Sequence, residues 1–316
     1  MSKKLKTTIL TLALTAVVGA SAAASACTVK TSHPRAKITV SFNSVEYVLD
    51  YTLYRNMYPQ TVQHFIELAD NGFYNNMIVH NYNTSSDWFT GAYYYYADEY
   101  KTAYKGGSGA LGDYLDDEVN GNNISKEKQY YDLAAGGMLT PTVYKKEVIN
   151  DGKTTVDKKD ALATLIGEFS ENNHKIENNA LSASTGCLKM FYYDRSEDNQ
   201  KVAMVNGFDQ ILTGDYNKNC ATSVFSMQVG SSTSYSASKY CVFGKLTGDN
   251  DRDKLDDLLE AISDYIDDNN LTGKFTTSVT ATVDKLDTFS KAGSIETRFN
   301  MTVEPIIIKS VKISKY

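Results

Sequence analysis

Residues 58–80 read YPQTVQHFIELADNGFYNNMIVH and contain one amphipathic helix with both of its ends marked. Pro59 suits the first position of a helix, where its missing N–H leaves no hydrogen bond unmade. Apolar residues then recur at i, i+3, i+4 and i+7 on one helical face, at Val62, Phe65, Ile66 and Ala69. Gly72 lies where a glycine commonly follows a helix. The segment therefore predicts a helix that packs one face on a core, followed by a strand around Ile78.

Alternating apolar residues predict strands on both sides of this helix. Residues 38–53 alternate around Asn43-Ser44, as a β-hairpin does. Further strand patterns occur at 181–191, 201–205, 224–229, 239–246, 275–283 and 295–313. A second helix is predicted with Asp251 or Asp253 as its cap and with an apolar stripe at Leu255, Leu258, Leu259, Ile262 and Ile266. This order predicts a mainly β fold, a closed antiparallel β-barrel capped by two helices.

The composition is that of a folded, β-rich and mildly acidic protein. The 316-residue chain is 42% hydrophobic with only 4 prolines, and its 23 tyrosines favour strands. The formal charge is −6, and it is nearer −9 beyond residue 26, because residues 1–26 carry three lysines and no acidic residue. Such a charge argues against nucleic acid as a partner.

The N-terminus predicts export. An uncharged apolar stretch, residues 8–20, follows a lysine-rich start and is shorter than the ~20 residues of a membrane-spanning helix. Ala24-Ser25-Ala26-Cys27 then resembles a bacterial lipobox, with Ala24 in place of the usual Leu. We expect a signal peptide at 1–26 and a lipidated linker at 27–36, which would hold residues 37–316 at the outer side of the cell membrane. The alternative is simple cleavage after Ala26 and secretion.

The remaining cysteines and the acidic clusters indicate no metal site. Cys187, Cys220 and Cys241 are an odd number for a disulfide framework, and the apolar runs around Cys187 and Cys241 favour buried thiols. The sequence alone does not decide whether Cys187 and Cys220 form a disulfide. The acidic residues from Asp249 to Glu260 have calcium-loop spacing, but Lys254 stands where that loop needs glycine. We expect no metal and no other cofactor.

A long interruption separates the early strands from the later ones. Residues 97–164 contain paired glycines and acidic and polar runs, which predict an insertion with a little structure of its own. The run Tyr93–Tyr96 leads into it. These tyrosines would either bind peptide or polysaccharide near the mouth of the barrel or pack within strands.

Several stretches resemble the cyclophilin family of peptidyl-prolyl isomerases. They follow one another in the family's order. The similar stretches are residues 58–65 (YPQTVQHF, against AP-x-TV-x-NF), 72–80 (GFYNNMIVH, against GYYDGT-x-FH), 186–190 (GCLKM, against G-x-LSM), 223–225 (SVF, against SQF), 240–246 (YCVFGKL, against HVVFGKV) and the closing strand 305–313. The resemblance implies the cyclophilin-like barrel for residues 37–316, with large insertions.

The resemblance also implies a mechanism. Family members stabilise the twisted prolyl amide through an Arg that donates a hydrogen bond to the proline nitrogen, without a cofactor. Asn81 stands at that position, and a neutral amide is a weaker donor than a guanidinium. His80, directly before it, is either a wall of the substrate pocket or a structural histidine.

Other implied site positions differ from the family as well. The family's catalytic Gln corresponds to Thr90, and one inserted residue between 82 and 89 leaves that correspondence open by one position. Ser226 replaces the Phe that floors the proline pocket. The other residues expected around that pocket are Trp88 or Phe89 in place of a Met, Phe225 matching a Phe, Tyr235 in place of a Trp, and Tyr240 in place of a His.

These substitutions set two expectations for function. The first is a monomeric prolyl isomerase of weak activity that acts on proline-containing segments of exported proteins. The alternative is an inactive peptide- or protein-binding module of the same fold, held at the membrane surface.

Overall fold

A computed structural model describes residues 33–96, 100, 144–150, 153–162, 165–170, 174, 181–191, 201–205, 211–215, 220–221, 223–233, 236–284 and 294–314. Residues 34–315 form one compact unit. The predicted signal peptide, Cys27, Tyr235 and most of the insertion at 97–164 lie outside the described residues.

The described chain is mostly β-structure. Its helices are α1 (Pro59–Asp70) and α2 (Asp249–Asp268). Its strands are β1 (Arg35–Phe42), β2 (Val45–Leu53), β3 (Met77–Ile78), β4 (Asp87–Thr90), β5 (Tyr144–Asn150), β6 (Lys153–Leu162), β7 (Leu165–Ile166), β8 (Cys187–Phe191), β9 (Lys201–Val205), β10 (Ile211–Asp215), β11 (Cys220–Ala221), β12 (Phe225–Gln228), β13 (Tyr240–Leu246), β14 (Thr276–Asp284), β15 (Ser294–Thr302) and β16 (Ile307–Ser314).

Eight of these strands form one antiparallel sheet in the order β3-β16-β1-β2-β13-β8-β12-β4. Backbone hydrogen bonds between the two ends of this sheet close it into a barrel. His80 N donates to Phe89 O at 3.0 Å, and Phe89 N donates to Asn81 O at 2.9 Å. Ile78 N donates to Tyr93 O at 3.0 Å. Closure matters because it pairs the segment after β3 with β4 and so fixes which side chains face inward.

The barrel interior holds the hydrophobic core, and each helix covers part of it. Phe65 of α1 packs against Tyr74, Phe225 and Phe243, with ring centroids 5.1–5.3 Å apart. Tyr265 of α2 packs edge-on against Phe42, with their centroids 5.4 Å apart. Leu255, Leu258 and Ile262 of the predicted stripe on α2 are buried in this core as well, so the predicted amphipathic faces are the faces that pack on the core. The sequence-based prediction of a mainly β barrel with two helices is confirmed.

The insertions form smaller sheets beside the barrel. Strands β5 and β6, from the predicted insertion, pair with β9 and β10 in a four-stranded sheet. Strand β7 pairs with β11, and β14 pairs with β15 as a long hairpin. Cys187 and Cys241 are buried free thiols, so the Cys187–Cys220 disulfide that the sequence left open is not formed.

The segment that follows the insertion binds the N-terminus of α1. The Glu168 carboxylate accepts hydrogen bonds from Gln60 N at 3.2 Å and from Thr61 N at 2.9 Å. These N–H groups have no partner within the helix, and Tyr58 at the N-cap supplies no side-chain bond to them. A carboxylate is also favoured at the positive end of the helix dipole. Glu168 therefore ties residues distant in sequence to the start of α1.

We expect Glu168→Ala to lower the free energy of unfolding by about 1–3 kcal/mol, because the buried N–H of Thr61 and the partly buried N–H of Gln60 lose a charged acceptor. Urea denaturation of the variant and the unchanged protein measures this difference. Glu67→Ala is the matched control, since Glu67 makes only an exposed side-chain bond to Gln63 on the same helix, and it should cost at most about 0.5 kcal/mol. Equal losses from both substitutions would contradict a capping role for Glu168.

Candidate functional site

One row of side chains runs across four neighbouring segments of the barrel wall. Asn81 lies opposite Phe89, and Phe89 lies opposite Ser226 on β12. Ser226 lies opposite Lys189 on β8. Residues directly opposite in antiparallel strands share one face of the sheet. Their chain neighbours Trp88, Phe225 and Met190 belong to the interior core, so this row lies on the outer face of the barrel.

Two charges are buried in this outer face. Asp87 lies two residues before Phe89 and therefore on the same face of β4. The Lys189 ammonium is 2.8 Å from Asp87 Oδ1 and 2.9 Å from Asp87 Oδ2, and both side chains are almost fully buried, with 0% and 1% of their surface exposed. Ser226 Oγ donates to Asp87 Oδ1 at 3.0 Å. The three side chains form one hydrogen-bonded polar network.

Two further groups surround the Lys189 ammonium. It donates to Thr233 Oγ1 at 3.2 Å, and it lies 4.9 Å from the centre of the Tyr240 ring, within the range of a cation–π interaction. Burial, and secondarily the negative charge of Asp87, raises the pKa of Tyr240 above its ordinary value of 10. The ammonium is thus paired with a carboxylate, a hydroxyl and an aromatic face.

Two loops lie against each other next to this network. Ser232 donates through its backbone N–H at 3.1 Å and through its hydroxyl at 2.6 Å to the carbonyl oxygen of Ser85. Gly230 N donates to Ser86 O at 3.0 Å. A Cβ at Gly230 would lie 2.1 Å from the Ser85 backbone, so only glycine permits this approach. These contacts join residues 85–86 to residues 230–232, and we call the joined loops the clasp.

Three of the predicted site residues, the pocket residues Trp88 and Phe225 and the catalytic candidate Thr90, face the barrel interior. Trp88 stacks on Tyr82 with ring centroids 5.5 Å apart, and Phe225 packs on Phe65. Thr90 is buried opposite Phe225, and its hydroxyl donates to Ile78 O at 2.9 Å. The reason is the two-residue period of β4, which sends residues 88 and 90 inward together. Phe89 is the member of this segment on the outer face, one position from Thr90, and the sequence comparison had left that step open. We call the outer surface around Asn81 and Phe89 the groove, since the family resemblance implies a substrate groove there.

His80 is buried in the wall between the groove and the core. Its ring lies edge-on to Tyr93, with ring centroids 5.4 Å apart. Burial lowers the pKa of His80 to about 3, so the imidazole is neutral at physiological pH. A neutral, packed ring suits the structural interpretation of this histidine.

The structure brings together four of the predicted site residues, Asn81, Phe89, Ser226 and Tyr240, around one polar network. Asn81 and Phe89 are half-buried, and they are the members of the row that reach solvent. Sequence reasoning missed Asp87 and Lys189. One signal could have found Lys189, since it is the single charge in the apolar strand Cys187–Phe191.

Within the described ranges, no cluster of three or more His, Cys, Asp or Glu side chains is arranged to hold a metal ion. Among the same residues, no helix combines the length and the apolar character that crossing a membrane requires.

Comparisons with known proteins agree with the sequence resemblance. Residues 37–284 match the family model described as cyclophilin type peptidyl-prolyl cis-trans isomerase/CLD. Among solved structures, the chain is similar to the Mimivirus cyclophilin at 12% identity and a TM-score of 0.33, with 72% of this chain and 77% of that chain covered. It is also similar to a Cryptosporidium parvum cyclophilin type isomerase at 12% identity and a TM-score of 0.35, with 90% and 99% covered. No curated protein matches.

We expect acid to destabilise this protein partly through His80. Because its folded pKa of about 3 is below its ordinary value of 6.5, the unfolded chain takes up this proton first. Stability from this group is complete above pH 6.5 and falls as the pH drops toward 3, by roughly 2 kcal/mol between pH 7 and pH 5.

The free energy of unfolding of the unchanged protein and of His80→Phe, measured at pH 7 and pH 5, checks this expectation. The phenyl ring keeps the edge-on contact with Tyr93 and carries no titrating proton. The loss between the two pH values should be smaller for the variant. The same loss in both proteins would show that His80 is not buried in its neutral form.

Proposed function

The chain belongs to the cyclophilin-type peptidyl-prolyl cis-trans isomerase family, and on that basis we propose that it binds extended, proline-containing segments of exported proteins and isomerises their prolyl bonds slowly. Family membership rests on the model match over residues 37–284, most of the chain. The role at the cell envelope is our inference from the signal-like N-terminus.

The observation that best supports this function is the adjacency of Asn81 and Phe89 on the outer face of the barrel. Asn81 corresponds to the family's catalytic Arg, and its amide N–H groups are donors. Phe89 offers an apolar surface beside it. A twisted prolyl amide in this groove would have a donor for its nitrogen and an aromatic ring for its apolar side.

The same geometry argues that the rate is low. An amide is neutral, and charge-assisted hydrogen bonds are roughly twice as strong as neutral ones. Loss of one preorganised donor in an enzyme commonly costs about 10²–10³ in rate. We therefore propose an activity well below that of family members that keep the Arg.

A second candidate function is peptide binding without catalysis. It is favoured by one observation, the buried Asp87–Lys189 pair beside Ser226, where the family resemblance implies an apolar floor. A groove with a polar floor still offers Asn81 and Phe89 to an extended chain.

We expect the full chain to accelerate cis/trans exchange of Xaa-Pro peptides weakly at substoichiometric concentration, as measured by exchange NMR. Asn81→Ala should lower the catalysed rate by about tenfold or more, because the proline nitrogen loses its donor. Gln63→Ala, on the exposed face of α1, is the matched control and should leave the rate unchanged. Peptide line broadening without faster exchange would refute catalysis and leave the binding module.

We also propose that the chain is exported and anchored by lipid at Cys27. The lysine-rich start, the apolar stretch and the lipobox-like Ala24-Ser25-Ala26-Cys27 support this. Stable anchoring needs more than one acyl chain, as bacterial lipoproteins carry.

In a bacterial host, the unchanged chain should sediment with membranes and need detergent for release. Cys27→Ser removes the thiol that would carry the lipid, so this variant should be released in soluble form outside the cytoplasm. Fractionation followed by immunoblotting measures the distribution. An identical distribution of the two proteins would contradict lipidation at Cys27.

A further inference from the structure

We propose that the Asp87–Lys189 pair is a specificity determinant that closes the ring pocket beside Asn81 and Phe89, so that this protein binds extended polypeptide, prolyl segments included, with little preference for proline. This inference rests on the proposed binding function of the groove. It assigns a role to two residues to which the family resemblance gives none.

The pair lies where a proline ring would have to enter. The resemblance implies that Ser226 takes the position of the pocket floor and Tyr240 a position in the pocket wall. Ser226 is bonded to Asp87, and the Lys189 ammonium lies over the Tyr240 ring. The side chains of the ion pair therefore bridge floor and wall.

The polar groups of the ion pair are bonded to one another and to their neighbours. Lys189 donates to both oxygens of Asp87 and to Thr233. Asp87 accepts from Lys189 and Ser226. A buried network whose members satisfy one another gains nothing by exchanging a partner for an apolar ring, and it loses a charge–charge contact when opened.

Stability does not explain why these charges are buried. Removing two charges from water costs free energy that their attraction often fails to recover, and apolar residues of similar volume are commonly as stable or more so. Opening the pair to admit a ring would expose one uncompensated charge to an apolar ligand. The arrangement thus disfavours proline in the pocket more strongly than a merely smaller pocket would.

The clasp joins the two loops that lie next to the network in sequence, and so it holds Asp87 and Thr233 in place. Ser232 bonds to Ser85 through two donors, and Thr233, the next residue, supplies the hydroxyl that Lys189 contacts. Because Ser85 and Ser86 directly precede Asp87, both partners of the ion pair are connected to the same loop contact. A ring could enter only if these loops separated.

The consequence is a groove that recognises backbone and surface rather than the pyrrolidine ring. Asn81 and Phe89 remain half-exposed beside the closed pocket. The occupant is therefore an extended polypeptide, bound about equally with alanine or proline at the central position.

The test measures binding of two peptides, N-acetyl-Ala-Ala-amide and N-acetyl-Ala-Pro-amide, to the full chain by NMR titration. The unchanged protein should bind them with affinities within about twofold of each other. The double variant Asp87→Ala with Lys189→Ala should open the pocket and favour the proline peptide by roughly tenfold or more, since each buried methylene contributes a factor of about four.

Two control pairs separate volume and charge from other effects. Asp87→Asn with Lys189→Met removes the charges but keeps the space filled, so it should behave as the unchanged protein does. Asp251→Ala with Lys254→Ala removes a partly exposed Asp–Lys pair on α2, far from β4 and β8 in sequence, and it should change neither affinity. If the alanine pair prevents folding, Asp87→Ser with Lys189→Ser opens the same space with polar side chains.

The outcomes separate this inference from the proposed function. A proline preference of tenfold or more in the unchanged protein overturns the inference, and so does a folded opened variant without that preference. Failure of both peptides to bind the unchanged protein counts against the proposed function alone. In that case binding of the proline peptide by the opened variant supports the inference, and no binding by that variant overturns it.

Discussion

The backbone hydrogen bonds between residues 78–81 and residues 89–93 are the constraint on which the site depends. They close the barrel, and they set the register in which Asn81 lies opposite Phe89. A shift of one residue would turn every side chain of β4 to the other face. Trp88 would then leave the core, and Asp87 would leave Lys189. The polar network on the outside and the aromatic core on the inside therefore follow from one pairing.

Much of the fold could be predicted because its signals are local. The apolar face of residues 59–70, the hairpin at 38–53 and the stripe on α2 each repeat with the period of their element. The pairing of β5 with β9, which joins two local hairpins into one sheet, could not be predicted in this way, because β7 and the barrel strand β8 lie between them in sequence. Nor did any local pattern place the Glu168 carboxylate at the start of α1.

The site was less predictable than the fold, because a register shift of one residue decides on which face of the sheet a side chain lies. The resemblance directed attention to residues 80–90 and 225–226, but a motif with one inserted residue does not say whether Phe89 or Thr90 faces out. Asp87 lay outside the matched motif altogether. Lys189 lay inside one, in GCLKM, where a long cation in a buried strand needs a partner. That need, rather than the motif, is the physical signal that connects it to Asp87.

The measurement that tests the buried network most directly is lysine acetylation of the folded chain, followed residue by residue with mass spectrometry. An ammonium enclosed by Asp87, Thr233 and Tyr240 should stay unmodified while the exposed Lys37, Lys309 and Lys312 react fully. Lys189 should react only when the chain is unfolded. Modification of Lys189 in the folded chain as fast as that of the exposed lysines would contradict a closed pocket.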